Sequence, residues 1–222
     1  MIPWEHLGDA RIPGTPDKLS LYRRDGEFSL RLARVELMNS RMHESEEVLA
    51  RAALPDDRRA QVGNVLIGGL GMGFTLRAAL DRLPAGARVV VAELVPEVID
   101  WNRNHMGHLA GAPLNDPRTD IRLADVAEIL KHSRSCFDVI LLDTDNGPEG
   151  TSAEANEWLY ADAGIQASWE SLKPGGVLAV WSAFPSSRFT ERLRRNGFRV
   201  ELINARARRS KSARHIIWLA FK

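Results

Sequence analysis

The chain has 222 residues, 44% of them hydrophobic and 27% charged, with a formal net charge of +1. That length suits one α/β unit with a short extension rather than two full domains, and the near-neutral balance gives no global attraction to nucleic acid. No apolar run approaches the roughly 20 residues needed to span a bilayer. The start, Met-Ile-Pro-Trp-Glu-His, lacks the basic-then-apolar pattern of a secretory signal. The single Cys136 has no partner for an internal disulfide, and its place just before an apolar run predicts a small buried hydrophobe. Both features point to the cytoplasm.

Taken in order, Leu19 to Leu32 reads as a hairpin around the turn pair Asp25-Gly26. Glu44 to Leu54 reads as a helix, with Glu44, Glu46 and Glu47 in its first turn, Arg51 in its last and Pro55 as terminator. Residues 1–54 thus form an N-terminal extension, and 55–222 the main unit. There strands and helices alternate: strands at Val65–Ile67, Arg88–Ala92, Ile121–Leu123, Val139–Leu142 and Val177–Trp181, and helices at Phe74–Leu83, Pro96–Asn104, Val126–Lys131, Ala161–Leu172 and Ser187–Asn196. Repeated β-α units imply a doubly wound, mostly parallel Rossmann-like sheet with ligands at the C-terminal ends of its strands. Phe198–Ile203 and His215–Phe221 have no helical segment between them, which predicts an antiparallel C-terminal hairpin.

The stretch Val65 to Leu80, V-L-I-G-G-L-G-M-G-F-T-L-R-A-A-L, sets a glycine turn between strand and helix. Bare backbone before a helix N-terminus suits a nucleotide-like ligand. A dinucleotide fingerprint fails, because Gly69 and Gly71 are followed by Phe74, and Gly71 and Gly73 by Leu76, where a third glycine is required. A phosphate-cradling P-loop fails too, since no lysine occurs between Lys18 and Lys131. The remaining pattern, Gly69-Leu70-Gly71-Met72-Gly73, resembles motif I of the class I S-adenosylmethionine (SAM) dependent transferases, whose methyltransferase-type fold also ends in an antiparallel hairpin.

Acids end three successive strands. Glu93 lies about 20 residues past the glycines, where a carboxylate can bond a ribose, with Leu94 beside it. Asp125, followed by Val126, resembles the aspartate that accepts from the adenine amino group in those transferases. Asp143 ends the run Phe137-Asp138-Val139-Ile140-Leu141-Leu142.

Together these motifs resemble the spermidine synthase family. The resemblance runs through Ser45-Glu46-Glu47-Val48-Leu49-Ala50, V-L-I-G-G, V-V-V-A-E-L-V-P-E-V-I-D, N-D-P-R-T-D-I-R-L-A-D, F-D-V-I-L-L-D-T-D and W-E-S-L-K-P-G-G-V-L-A-V. It implies a SAM or decarboxylated SAM donor held by Gly69, Gly71, Gly73, Glu93, Leu94, Asp125, Val126 and Asp143, with Asp143 and Asp145 as catalytic acids. It also implies an acceptor pocket touching His43, Glu47, Trp158 and Tyr160, and a possible homodimer through the N-terminal hairpin. Three departures stand out: the family's acidic glycine loop has no acid here, its Tyr-His-Glu triplet is replaced by Ser45-Glu46-Glu47, and its Asp-x-x-Asp-Pro loop appears as Asp143-Thr144-Asp145-Asn146-Gly147-Pro148.

Loss of the loop acid favours a smaller or less cationic acceptor. The leading expectation is therefore a methyltransferase acting on a small molecule, with aminopropyl transfer to a polyamine as the alternative and a noncatalytic nucleoside- or RNA-binding protein as a third reading. Five cations, Arg206, Arg208, Arg209, Lys211 and Arg214, crowd one stretch, but no aromatic residue is interleaved for base stacking, so nucleic acid is not the expected partner. His105-x-x-His108 has no evident third ligand, so no metal is expected.

Overall fold

A computed structural model of the protein describes residues 2–33, 35–144, 147–148, 154–206 and 214–222, with backbone alone at 154–156, 206 and 214. The N-terminal strands β1 (Glu5–Arg11), β2 (Lys18–Arg24), β3 (Glu27–Leu32) and β4 (Val35–Asn39) form an antiparallel sheet in that order. The expected hairpin is β2–β3, pairing Leu19 with Leu32 and Leu21 with Leu30. The strands that flank it have no clean alternation: β1 carries a register shift between His6 and Gly8, and β4 is short.

Helix α1 (Glu44–Ala53) leads to β5 (Asn64–Gly68), α2 (Phe74–Leu80), β6 (Arg88–Glu93), α3 (Pro96–Trp101), β7 (Thr119–Leu123), α4 (Val126–Lys131) and β8 (Phe137–Leu142). Then come α5 (Glu154–Tyr160), α6 (Asp162–Ser171), β9 (Leu172–Ser182), α7 (Ser187–Arg195), β10 (Arg199–Arg206) and β11 (Arg214–Phe221). The second sheet has the order β10-β11-β9-β8-β5-β6-β7; β7, β6, β5, β8 and β9 are parallel, and β11 is antiparallel to both β9 and β10.

Because successive side chains leave a strand on opposite faces, this sheet builds two cores. Val65, Ile67, Val89, Val91, Val139 and Leu141 pack with α1, α2, α3 and the N-terminal sheet; Leu66, Val90, Ile140, Leu142 and Leu178 pack with α4, α6 and α7. Apolar residues on both faces are what a central parallel strand requires. The two sheets therefore share one core, and the N-terminal sheet lies over the same side as the glycine turn.

Some local expectations shift. α3 stops at Trp101 and passes into a π turn over Asn102–Met106, where Asn102 Nδ2 donates to the carbonyls of Gly71 and Val98 at 2.8 and 2.9 Å. Cys136 is exposed rather than buried: it precedes β8, and only from Phe137 does the chain enter the core. Residues 207–213, which hold most of the basic stretch, lie outside the described residues.

Candidate active site

The strand order reverses at β5, which has β6 on one side and β8 on the other. At such a point the connecting segments diverge and leave a crevice at the strand ends. A cavity of about 440 Å³ lies there, lined by Gly69 after β5, Glu93 and Leu94 at the end of β6, Asp125 and Val126 after β7, and Asp143 after β8. Its other wall comes from the N-terminal sheet, through Leu19, Leu30, Met38 and Asn39. Seven of the eight residues expected to hold a donor are thus brought together. The eighth, Gly73, caps α2 in a left-handed conformation and does not line the cavity.

Part of the lining is fixed by backbone. Gly69 has φ +90°, and a Cβ there would run into the Asp143 carbonyl; at Gly71, with φ +52°, it would meet Met38 Cε at 2.8 Å. The glycines thus let the turn pack against the protein's own β8 end and β4 as well as bare its backbone. Glu93 is 8% exposed and accepts from Leu70 N at 3.0 Å on Oε2 and from Val95 N at 2.9 Å on Oε1. Burial pushes its carboxyl up, and these backbone donors pull it back. Asp125 Oδ1 accepts from Ala127 N at 2.8 Å, capping α4.

The other end holds acids tied more loosely. Asp143 Oδ2 accepts from Thr75 Oγ1 at 2.5 Å, joining the end of β8 to the first turn of α2. Glu46, 7% exposed, accepts from Ser45 Oγ at 2.6 Å. Burial raises the Asp143 carboxyl; Glu46 is raised first by burial and then by the Asp143 charge. Asp17 and Glu36 complete the acidic lining, so that Asp17, Glu36, Glu46, Glu93, Asp125 and Asp143 all face one cavity and no Lys or Arg stands among its described lining residues. His215, the one basic residue there, is held toward its neutral form by burial, and its ring meets Trp181 edge-on at 4.7 Å.

Residues expected at an acceptor site fall elsewhere. His43 stacks on Phe74 with ring centroids 3.9 Å apart, and its Nδ1 lies 2.8 Å from Glu47 Oε1. Both line a second cavity, of about 430 Å³, with Arg51 and Arg77. One helical residue is about 100° of rotation, which is why Glu46 faces the first cavity and Glu47 the second. Trp158 lies under Lys131, whose Nζ is 4.6 Å from the ring centroid, and does not line the first cavity. Tyr160 is 5% exposed within the second core and hydrogen-bonds through its hydroxyl to the lining residue Thr144, at 3.1 Å from Oγ1. Asp145 lies outside the described residues. Sequence reasoning gave Glu46 no site role, although its place in the departed triplet marked the position. Asp17 and Glu36 carried no signal, because only the fold of the N-terminal sheet over the crevice brings them in.

Known proteins fit this geometry. Residues 42–188 match the spermine/spermidine synthase domain. Polyamine aminopropyltransferase 2 of Pseudomonas aeruginosa is 33% identical over 121 residues, covering 53% of this chain and 32% of that protein. The polyamine aminopropyltransferase of Thermococcus onnurineus is 30% identical over 165 residues, covering 72% of this chain and 54% of the relative. This chain therefore spans about a third to a half of these relatives' length. Among solved structures, a spermidine synthase in complex with the transition-state analogue AdoDATO superposes with a TM-score of 0.74 at 21% identity, covering 98% of this chain and 72% of that one. The spermidine synthase of Thermotoga maritima also gives 0.74, at 22% identity over 96% of this chain and 72% of the other. At those identities the likeness shows the fold.

The comparisons overturn the expectation of a small-molecule methyltransferase, since the matched relatives are polyamine aminopropyltransferases. That expectation rested on the acid missing from the glycine turn. The fold brings Glu46 to the same cavity from α1, so the turn alone understates the carboxylates present.

Proposed function

The chain belongs to the spermine/spermidine synthase family, and from that membership we propose that it transfers an aminopropyl group from decarboxylated SAM to an amine of the polyamine class. The observation that carries this reading is the charge of the cavity: six carboxylates and no lysine or arginine stand among its described lining residues, in a chain whose net charge is +1. Such a lining favours cations and offers no counter-charge to a donor's own carboxylate.

In the transfer, the amine nitrogen attacks the methylene bonded to the sulfonium. A C–N bond forms as the C–S bond breaks, the electron pair stays on sulfur as a thioether, and the amine gives up one proton. Asp143 is assigned that proton: burial has moved its carboxyl toward neutral pH, where a general base is most effective, and Thr75 holds its other face in place. Glu93 is assigned the ribose hydroxyls, its orientation fixed by the backbone N–H groups of Leu70 and Val95. Asp125 has Oδ2 left for the adenine amino group once Oδ1 caps α4.

The test is to incubate the purified chain with decarboxylated SAM and a panel of diamines and triamines, and to follow release of the nucleoside thioether. The expected result is release that depends on the amine, with an aminopropylated product of matching mass. No release with any amine of the panel would overturn the reading.

A further inference from the structure

Glu46 has no role among the site residues expected from the sequence, and its setting is unusual for a glutamate. It is almost fully buried, on a helix start whose neighbours Glu44 and Glu47 point elsewhere; among the described residues no cation pairs with it, and Ser45 Oγ donates to it at 2.6 Å. A buried carboxylate without a counter-charge is costly, and a second carboxylate in the same cavity raises that cost. Both acids therefore face a cavity with no lysine or arginine among its described lining residues.

Their placement says which cation. α1 packs on α2, the helix that follows the glycine turn, and Thr75 in the first turn of α2 holds Asp143. Glu46, Gly71 and Asp143 thus reach the same cavity from three elements, with Glu46 near enough to Asp143 to feel its charge. The turn itself carries no acid, and at Gly71 the left-handed φ of +52° disfavours any side chain.

We propose that Glu46 supplies from α1 the carboxylate that the glycine turn lacks, pairing with the terminal ammonium of the donor's aminopropyl chain and so selecting decarboxylated SAM over SAM. This rests on the aminopropyl-transfer reading. SAM carries a carboxylate on the carbon that bears that ammonium, and in this cavity it would face Glu46 and Asp143 with no lysine or arginine among the described lining residues to answer it. The donor without that carboxylate relieves the acid pair, whereas SAM would add a third negative charge.

Three nucleoside probes separate the contributions: decarboxylated SAM, SAM, and 5′-deoxy-5′-methylthioadenosine, which lacks the aminopropyl chain altogether. Calorimetric titration of the wild-type chain should show decarboxylated SAM bound at least about tenfold more tightly than SAM. Glu46→Gln keeps the shape and the oxygen that accepts from Ser45. It should weaken decarboxylated SAM by roughly tenfold to a hundredfold, the usual scale for losing a buried charge-assisted pair, and narrow the gap to SAM. Methylthioadenosine affinity should not move, and Glu46→Asp, which keeps the charge, should recover part of the loss. Equal loss for all three probes in Glu46→Gln would mean that the residue only shapes the pocket, and an unchanged preference for decarboxylated SAM would mean that it does not read the donor; either result overturns the inference. Wild-type binding of methylthioadenosine without binding of decarboxylated SAM would instead sink the aminopropyl-transfer reading, so the two failures are distinguishable.

Discussion

The two ends of the cavity hold their acids in opposite ways. At the end assigned to the nucleoside, Glu93 takes the backbone N–H groups of Leu70 and Val95 and Asp125 that of Ala127, so those carboxylates are part of the turn and helix they fasten. At the other end, the side-chain donors to Asp143 and Glu46 among the described residues are the hydroxyls of Thr75 and Ser45. A carboxylate spent on backbone orients a neutral ligand and stabilises the fold. One with spare lone pairs in a buried place is set to meet a charge. Substitution at the first end should therefore register as instability, and at the second as lost chemistry.

The largest effect is expected at Asp143. Asp143→Asn keeps the shape and an oxygen to accept from Thr75 but removes the charge and the proton acceptor. Transfer should fall by about 10²- to 10⁴-fold, the usual range for a positioned general base. Binding of methylthioadenosine should stay within about threefold, corresponding to at most ~0.7 kcal/mol. Single-turnover rates with saturating donor and amine check the first, and titration the second. A fall in nucleoside binding as large as the fall in rate would mean that the two ends are not separate.

Glu93 supplies the converse. Glu93→Ala leaves the N–H groups of Leu70 and Val95 buried without their carboxylate. At about 1–3 kcal/mol for each of the two orphaned donors, the loss should be on the order of 2–6 kcal/mol. For a chain of this length that lowers the thermal midpoint by roughly 5–20 °C. Glu93→Gln, which keeps one acceptor oxygen, should fall between. A Glu93→Ala protein as stable as wild type would break the distinction between the ends.

A smaller effect follows from pH. Both Asp143 and Glu46 titrate above the ordinary carboxylate range in the folded chain. Between the unfolded and folded values the native state therefore holds more protons, and stability falls as pH rises through that window. The ligand-free thermal midpoint should drop by a few degrees from about pH 4.5 toward neutrality, a change on the order of 1–2 kcal/mol. Glu46→Gln should flatten the slope, and bound decarboxylated SAM should abolish it, since a cation removes the penalty on the charged pair. A midpoint that rises across the same window would contradict the assignment of these acids as cation-seeking.

Which parts of this were legible follows from range along the chain. The parallel sheet was readable because its strands are short apolar runs closed by glycine or an acid, as at Val65–Gly68 and Val89–Glu93, and both signals lie within a few residues. The turn and its strand-end acids were readable for the same reason. Glu46 was not, because Glu44, Glu46 and Glu47 look alike in a helical first turn, and only the packing of α1 on α2 decides which of them is buried. Asp17 and Glu36 reach the cavity through the docking of the N-terminal sheet, a long-range event with no local trace. The glycines were read correctly as a turn, yet part of what they avoid is Met38 and the Asp143 carbonyl, both distant in sequence. Tyr160 was placed at an acceptor site because it follows the Asp143 segment, but its ring is packed edge-on against Phe189 at 5.7 Å in the second core.

That placement gives the smallest of the effects. Tyr160 meets a lining residue of the cavity through its hydroxyl, 3.1 Å from Thr144 Oγ1. Tyr160→Phe keeps the ring and removes that bond, which should cost about 0.5–1.5 kcal/mol and lower the midpoint by no more than about 5 °C. Thr144 is left free to rotate beside Asp143, so the transfer rate should fall by less than about fivefold, equivalent to under ~1 kcal/mol of barrier, with the Michaelis constant for the amine unchanged. A hydroxyl that binds the acceptor directly would act in the opposite pattern, raising that constant while stability stayed the same. The paired measurement of midpoint and amine dependence therefore tells whether Tyr160 supports the wall of the cation-seeking end or forms part of its surface.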